Sequence, residues 1–215
     1  MVSYLLGSIP FGYLLVRIFR GLDVRNTGSG NIGATNVART GSKGLAVATL
    51  FLDALKGCVA VEFAFWLAGS RRFAAGDVPA SLYDSSSQVI DSRTIFLLAA
   101  VAAFCALLGH MFPVWLRFKG GKGVATAAGA FVALAPKSLL LSLLVFAMVF
   151  ALTRYVSLGS IVAAASFPWL VLWLNPAERK TAPILLVVTA SSALIIVRHR
   201  DNIRRLLSGA EDRFR

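Results

Sequence analysis

The sequence predicts an all-α membrane protein with seven transmembrane helices, an N-terminus outside the cell and a cytoplasmic C-terminus. Of its 215 residues, 57% are hydrophobic and the mean hydropathy is +0.74, whereas a soluble domain is usually about 45–50% apolar. Only 15% of the residues are charged, yet the net charge is +12, which fits a bilayer protein with a positive cytoplasmic face. A nucleic-acid binder could share this charge, but it would not carry repeated long apolar spans. We therefore expect no nucleic-acid partner.

Seven apolar runs approach the roughly 17–25 residues that a membrane helix needs. They lie at about 2–19, 44–68, 94–111, 123–135, 138–153, 158–174 and 183–198. The first lacks a basic leader and a small-residue cleavage site, so we interpret it as a retained span and not as a signal peptide. The fourth, which ends before Pro136, is short enough to be re-entrant instead. No repeat or second domain is evident, and residues 1–215 are predicted to form one domain.

The distribution of basic residues favours seven crossings. With seven, 15 of the 22 Lys and Arg residues share a side with the arginine-rich tail, and six lie opposite. If the fourth run turned back, the division would be 11 against 10, which the positive-inside rule disfavours. The tryptophans fall near the predicted span ends, as interfacial residues often do. The polar loop at 70–93 is predicted to be an outer surface loop without chemistry.

Four polar segments fall on the predicted cytoplasmic side, at 27–39, 110–126, 154–160 and 198–209. Their glycines free the backbone to turn N–H groups toward an anion. Their Ser, Thr and Asn residues add neutral donors, and Lys and Arg add charged ones that suit phosphate. Carboxylates are scarce in all four segments. The simplest ligand for this chemistry is one phosphate or two.

Two strings in these segments imitate nucleotide-binding motifs. Gly28-x-Gly30-x-x-Gly33 matches the dinucleotide fingerprint, but a membrane span precedes it where the fingerprint requires a strand. In the string from Gly120 to Gly123, glycine stands where a P-loop needs Ser or Thr for magnesium. With two histidines and no Cys/His/Asp/Glu cluster in the sequence, we predict no metal site and no cofactor.

The ionisable residues near these segments leave alternatives open. His199 stands among arginines, which disfavour its protonated form. As a neutral imidazole it could accept a proton from a substrate hydroxyl. Alternatively, His199 could have a structural role through hydrogen bonds, and the same alternative holds for His110. Asp53 and Lys56 lie three residues apart in the second span and share a helix face. We interpret them as a helix-packing ion pair, with lining of the site as the alternative.

Six motifs together resemble one protein family over nearly the whole chain. They are GSIPFGYL, GSGNIGATNVAR, LDALKG, HMFPVWLRFKGGKGVAT, RYVSLGS and RHRDNIRRLLSG. The chain resembles the bacterial acyl-phosphate-dependent glycerol-3-phosphate acyltransferases, which are multi-pass proteins of the bacterial plasma (inner) membrane. The resemblance implies transfer of a fatty acyl group from acyl-phosphate to the sn-1 hydroxyl of glycerol 3-phosphate. The products are lysophosphatidic acid and phosphate, in the first step of bacterial phospholipid synthesis. The His-x4-Asp motif of thioester-dependent acyltransferases is absent.

The resemblance and the residue chemistry together predict the site, facing the cytoplasm in a protein expected to be monomeric. We expect the catalytic residues to be His199, Lys122, Arg39 and Ser157. The residues expected to bind substrate or phosphate are Ser29, Gly30, Asn31, Thr35, Asn36, Lys119, Gly120, Gly121, Gly123 and Asn202. Which phosphate occupies which segment stays open, as does the base, which is His199 or a phosphate oxygen of the substrate. A transporter of a phosphorylated solute is the rival class, although it would bind near the midplane.

Overall fold

The computed structural model describes residues 1–69, 92–177 and 180–214, and these form a helical bundle without strands. Ten α-helices lie in those ranges: α1 (Val2–Ser8), α2 (Phe11–Arg20), α3 (Ala34–Arg39), α4 (Lys43–Leu67), α5 (Ser92–Met111), α6 (Val124–Leu134), α7 (Pro136–Thr153), α8 (Val156–Leu174), α9 (Ala182–Arg198) and α10 (Arg200–Leu207). Most of the predicted outer loop, 70–91, lies outside the described residues. The all-α prediction is confirmed.

Five apolar stretches among the described residues are long enough to cross a membrane, and a sixth arises if α9 and α10 form one bent span. The five are Val2–Arg20, Lys43–Leu67, Ser92–Leu116, Pro136–Thr153 and Val156–Leu174, and the α9–α10 bend is 55°. α6 has only 11 residues, or about 16 Å at 1.5 Å per residue, against a hydrocarbon core of about 30 Å. The membrane class is therefore supported, while seven crossings and their orientation remain predictions.

Small residues allow the closest helix pairs to approach backbone to backbone. A Cβ on Gly57 of α4 would overlap the Thr126 carbonyl of α6, and one on Gly129 of α6 would overlap the Ala54 carbonyl. Gly7 of α1 lies in the same way against α5. Such small-residue contacts are typical of packing inside membranes, where lipid supplies no hydrophobic drive between helices.

Large apolar side chains cover the outside of the bundle as well as its core. Leu152 of α7 and Trp173 of α8 are at least 80% exposed, which would be costly in water and is normal against lipid. The tryptophans predicted to lie at the interfaces, Trp66, Trp115, Trp169 and Trp173, are all exposed. The buried core is continuous through α4, α5, α6, α8 and α9.

Candidate active site

The polar loop between α2 and α4 curls around one buried amide, that of Asn36. Its Nδ2 donates to the carbonyls of Val24 (2.9 Å), Thr27 (3.0 Å) and Asn31 (2.8 Å). Its Oδ1 accepts from the Ser29 N–H at 2.8 Å. The side chain is 2% exposed, so every hydrogen-bonding position of the amide serves the loop. The structure therefore places Asn36, predicted to bind substrate, inside the loop.

The other predicted residues of this first loop lie on its surface. Ser29, Gly30, Thr35 and Arg39 are exposed. Gly30 has φ +68°, a left-handed conformation that glycine adopts without strain. Asn31 is turned toward its own backbone, since its Oδ1 accepts from the Gly33 N–H at 2.9 Å. The loop thus exposes the hydroxyls of Ser29 and Thr35 and the guanidinium of Arg39, while the Gly30 N–H is engaged inside the loop, since it donates to the Thr27 carbonyl at 3.0 Å.

The glycine loop, residues 117–123, is held by groups distant in sequence. Gly120 N–H donates to the Met111 carbonyl at 3.1 Å, and Gly121 N–H donates to the His110 carbonyl at 3.0 Å. From α9, Arg198 donates to the Gly120 carbonyl at 3.0 Å and to the Gly121 carbonyl at 3.2 Å. The N–H and carbonyl groups of Gly120 and Gly121, two residues predicted to bind phosphate, are therefore already hydrogen-bonded within the protein.

Lys122 and Gly123 connect the glycine loop to the start of α6. Gly123 has φ +84° and is the N-cap of α6, whereas Lys119 is exposed. Burial lowers the pKa of Lys122 to about 8, and the neighbouring Glu211 carboxylate partly opposes that shift. Arg39 of the first loop is close enough to lower the same pKa. The Arg39 guanidinium and the Lys122 ammonium are therefore near enough to each other to interact electrostatically.

The sequence reasoning missed Glu211, which joins two of the predicted residues. Its Oε1 accepts from Ser157 Oγ and from Asn202 Nδ2, each at 2.6 Å, and its Oε2 accepts from Arg205 Nε at 2.7 Å. Burial disfavours the Glu211 carboxylate, but these hydrogen bonds outweigh burial and hold its pKa below the usual value. The available signal was an acidic pair, Glu211 and Asp212, directly beyond the arginine-rich segment that ends at Gly209.

The rest of the tail ties the remaining segments together. Asp212 Oδ2 lies 3.1 Å from Arg39 of the first loop. Phe214 N–H donates to the Arg154 carbonyl at 2.9 Å, and the Arg213 guanidinium lies over the Tyr155 ring. Together with the hydrogen bonds from Arg198 to the glycine loop, these contacts bring all four polar segments to one end of the bundle.

No group of three or more His, Cys, Asp or Glu that could hold a metal ion occurs among the described residues.

His199 sits at the junction of α9 and α10, beyond the end of the α9 span. Its Nδ1 lies 2.8 Å from the Ile195 carbonyl. A carbonyl oxygen can only accept, so Nδ1 carries the hydrogen and Nε2 is left as an acceptor. Burial lowers the pKa of His199 to about 4, with the nearby Lys122 charge acting in the same direction. The ring is therefore neutral at physiological pH.

An apolar groove between α6, α7, α8 and α9 starts beside the glycine loop. Its cavity volume is about 70 Å³. The lining includes Val124, Ala127, Phe131, Ser160, Phe167 and Ser191. Val124 is the residue that follows the glycine loop. The charged end of the bundle therefore lies beside a mainly apolar groove.

Comparison with known proteins identifies the family. The sequence profile described as glycerol-3-phosphate acyltransferase matches residues 1–209. The chain belongs to the glycerol-3-phosphate acyltransferase family. A glycerol-3-phosphate acyltransferase of Anaeromyxobacter sp. (strain Fw109-5) is 45% identical, with 99% of this chain and 93% of that protein covered. One from Geobacter sulfurreducens is 44% identical, with 100% and 95% covered.

Two solved structures of the acyltransferase PlsY share this fold. PlsY (YgiH), an integral membrane glycerol 3-phosphate acyltransferase, is 39% identical in its glycerol 3-phosphate form, with a TM-score of 0.79 over 100% of this chain and 92% of that one. Its lysophosphatidic acid form gives a TM-score of 0.76 at 38% identity, with 99% and 92% covered. The chain is therefore an integral membrane protein of the acyltransferase family, as its motifs predicted.

Proposed function

We propose that this chain transfers a fatty acyl group from acyl-phosphate to the sn-1 hydroxyl of glycerol 3-phosphate, releasing lysophosphatidic acid and phosphate. The observation that carries the proposal is that the tail contacts Arg39 of the first loop while Arg198 holds the glycine loop, so that both cationic loops lie at one end of the bundle beside an apolar groove. Both substrates carry a phosphate, and one also carries a hydrocarbon chain. The acceptor agrees with the names of the relatives, and the donor follows from the motif resemblance and from this chemistry.

Each loop holds one phosphate in this proposal. The first loop offers the exposed hydroxyls of Ser29 and Thr35 and the Arg39 guanidinium, which can bind a phosphate through two hydrogen bonds. The glycine loop offers the Lys122 ammonium. Asp212, which faces Arg39 at 3.1 Å, is 73% exposed and can give way to a substrate. Asn36 serves by shaping the first loop, and Glu211 by holding Ser157 and Asn202.

The chemistry needs positioning more than it needs a nucleophilic side chain. Acyl-phosphate is a mixed anhydride that already carries a good leaving group. The sn-1 oxygen attacks the acyl carbonyl carbon, the bond between that carbon and the phosphate oxygen breaks, and the hydroxyl proton leaves on the phosphate. Holding both reactants in place can supply an effective concentration of about 10⁵ M or more. The cations stabilise the charge that develops on the departing phosphate.

The state of His199 favours a substrate oxygen as the base. A general base works best when its pKa lies near the operating pH, and the pKa of His199 is lowered to about 4. A phosphate monoester has a second pKa of about 6, closer to neutrality. His199 Nε2 accepts a hydrogen bond from the substrate hydroxyl and orients it, while a phosphate oxygen takes the proton.

The acyl chain lies in the groove between α6 and α9, with its carboxyl end at Val124. We propose further that the protein is a monomer of the plasma membrane with seven crossings, an external N-terminus and the loops facing the cytoplasm. The excess of basic residues on the side of the loops supports this orientation. A C-terminal tag that resists protease in intact cells and is cut in inverted vesicles would agree with it, and the reverse pattern would contradict it.

The function is tested with purified protein in detergent, where no compartment exists. Labelled glycerol 3-phosphate is supplied with palmitoyl-phosphate, palmitoyl-CoA or palmitoyl-acyl-carrier protein, and labelled lysophosphatidic acid is measured. We expect product with palmitoyl-phosphate alone, together with an equal amount of phosphate. Product only with a thioester would contradict the donor. Binding without turnover by any donor would favour a transporter of phosphorylated solutes.

A further inference from the structure

Three titratable side chains that the proposed reaction does not use are buried together inside the bundle. Asp53, Lys56 and His110 are 2–4% exposed. Lys56 Nζ lies 2.7 Å from Asp53 Oδ1, and His110 Nδ1 lies 3.5 Å from the same oxygen. Charges in a membrane protein's interior are costly to bury and usually mark a functional requirement. We call these residues the buried polar cluster.

One end of the buried polar cluster supports the glycine loop. The backbone of Gly121 rests on the His110 imidazole, so that a Cβ at this position would overlap Nε2, Cε1 and Cδ2 of the ring. Gly121 N–H also donates to the His110 carbonyl at 3.0 Å. The ring is therefore the surface on which the loop lies, and a residue larger than glycine does not fit there.

The other end of the cluster supports the first loop through the break in the first span. Lys56 Nζ donates at 2.8 Å to the carbonyl of Ile9, which lies between α1 and α2 next to Pro10. The following helix packs tightly on the first loop, since a Cβ on Gly12 of α2 would overlap the Ile32 carbonyl. A single chain of contacts thus runs from one phosphate-binding loop to the other.

We propose that Asp53, Lys56 and His110 are positioning residues that fix the distance between the two phosphate-binding loops. The inference rests on the proposed function, because it takes each loop to hold one reacting molecule. Both ends of the chain of contacts lie against backbone, because Lys56 donates to the Ile9 carbonyl and the His110 ring lies against the Gly121 backbone. Positioning at this accuracy matters, because a displacement of about 1 Å can lower a rate about a hundredfold.

If the buried polar cluster served only to pack helices, its mutation would change the amount of folded protein and its melting temperature. A positioning cluster affects the rate of the folded enzyme. Asp53→Asn separates the two, because it keeps the side-chain volume and removes the charge that holds Lys56 and His110. Each loop stays intact by itself, so KM for each substrate should change by less than about threefold while kcat falls about tenfold or more.

The matched control is Glu62→Gln, which removes a carboxylate from the same helix further from the loops. Its kcat should stay within about twofold of the wild-type value. If Asp53→Asn lowers only the yield or the melting temperature, and the protein that folds has wild-type kcat, the cluster is a packing pair and the positioning role is overturned. Lys56→Met has no N–H to donate to the Ile9 carbonyl, so it should also lower kcat about tenfold or more.

A double-mutant cycle tests the contact with the glycine loop directly. Gly121→Ala should lower kcat/KM about tenfold or more, because its methyl group displaces the loop from the ring. In a His110→Ala background the ring is gone, and adding Gly121→Ala should cost little more. Gly120→Ala is the control. Its Cβ would overlap the His110 carbonyl and Pro113, which the background leaves in place, so its cost should persist.

The outcomes of the cycle separate the inference from the proposed function. Non-additive effects at 110 and 121, with additive effects at 110 and 120, support the positioning role. Equal costs of Gly121→Ala in both backgrounds would overturn it while leaving the acyltransfer reaction intact. Wild-type protein that turns over no donor would overturn the proposed function, and the positioning role with it.

Discussion

The two phosphate-binding loops are built in opposite ways. The first loop is organised from within, because the Asn36 amide bonds to four backbone groups located within twelve residues of it. The glycine loop is organised from outside, by the His110 ring beneath it and by Arg198, 77 residues away in sequence from Gly121. The first loop should therefore depend on one residue, and the glycine loop on the assembled bundle.

The largest expected effect follows from removing the centre of the first loop. Asn36→Ala removes four hydrogen bonds from the loop. The Asn31 carbonyl and the Ser29 N–H lose the partner that holds them, at about 1–3 kcal/mol for each group that stays unsatisfied, whereas the Val24 and Thr27 carbonyls keep Thr27 and Gly30 as donors. If such a loss displaces Arg39, kcat/KM falls about tenfold for each 1.4 kcal/mol or so of lost transition-state stabilisation. We expect kcat/KM to fall by about a hundredfold or more. Steady-state kinetics with both substrates measures it.

The exposed Asn26, on the same loop, provides the control. Asn26→Ala should have kinetics close to wild type. Melting of the helical bundle, followed by circular dichroism, should change little in either variant, since the loop lies outside the spans. If Asn36→Ala retained more than a third or so of the wild-type kcat/KM, the first loop would not depend on its central amide, and the contrast between the loops would fail.

An intermediate effect is expected from Arg198→Lys, which tests the external support of the glycine loop. A planar guanidinium reaches both the Gly120 and Gly121 carbonyls, whereas an ammonium cannot span them in the same geometry. A lost hydrogen bond to a charged group costs about 1.5–3 kcal/mol, so we expect kcat/KM to fall roughly tenfold. The neighbouring Arg200, 73% exposed, is the control, and Arg200→Lys should be silent. Equal effects of the two would contradict a specific role for Arg198.

The smallest effect concerns the pH dependence of the glycine loop. The pKa of Lys122 is lowered to about 8, so its ammonium is lost as pH rises through that value, and attraction for phosphate goes with it. In the free enzyme, kcat/KM should be level from about pH 7 to the pKa and then fall about tenfold per pH unit. Lys122→Arg keeps its charge at these pH values and should remove the fall. A wild-type profile that is level to pH 10 would contradict the lowered pKa.

Sequence reasoning recovered what is encoded locally. The apolar runs predicted helices close to those observed, and the four polar segments that it selected do meet at one end of the bundle. The first loop could be identified because its glycines, hydroxyl and guanidinium lie within thirteen residues. Periodicity and composition are sufficient for features of this kind.

What the sequence could not supply depends on contacts between distant residues. Glu211 contacts Ser157 across 54 positions, and its place directly after a basic segment does not reveal that partner. The sequence also did not predict that His110 supports Gly121. A glycine in a phosphate-binding loop is expected in any case, because it lets the backbone approach the ligand, so it indicates no further contact. The fold also turned the Asn36 amide inward, although its place among exposed donors predicted contact with substrate.

The most direct test of the central claim compares two lysines at opposite ends of α6. Lys122 precedes the helix in the glycine loop, and the exposed Lys137 follows it in the first turn of α7. Initial rates of lysophosphatidic acid formation are measured for Lys122→Ala and Lys137→Ala in detergent, at equal amounts of folded protein. We expect Lys122→Ala to lose about a hundredfold or more and Lys137→Ala to keep the wild-type rate. Equal rates in the two variants would contradict a phosphate site at the glycine loop.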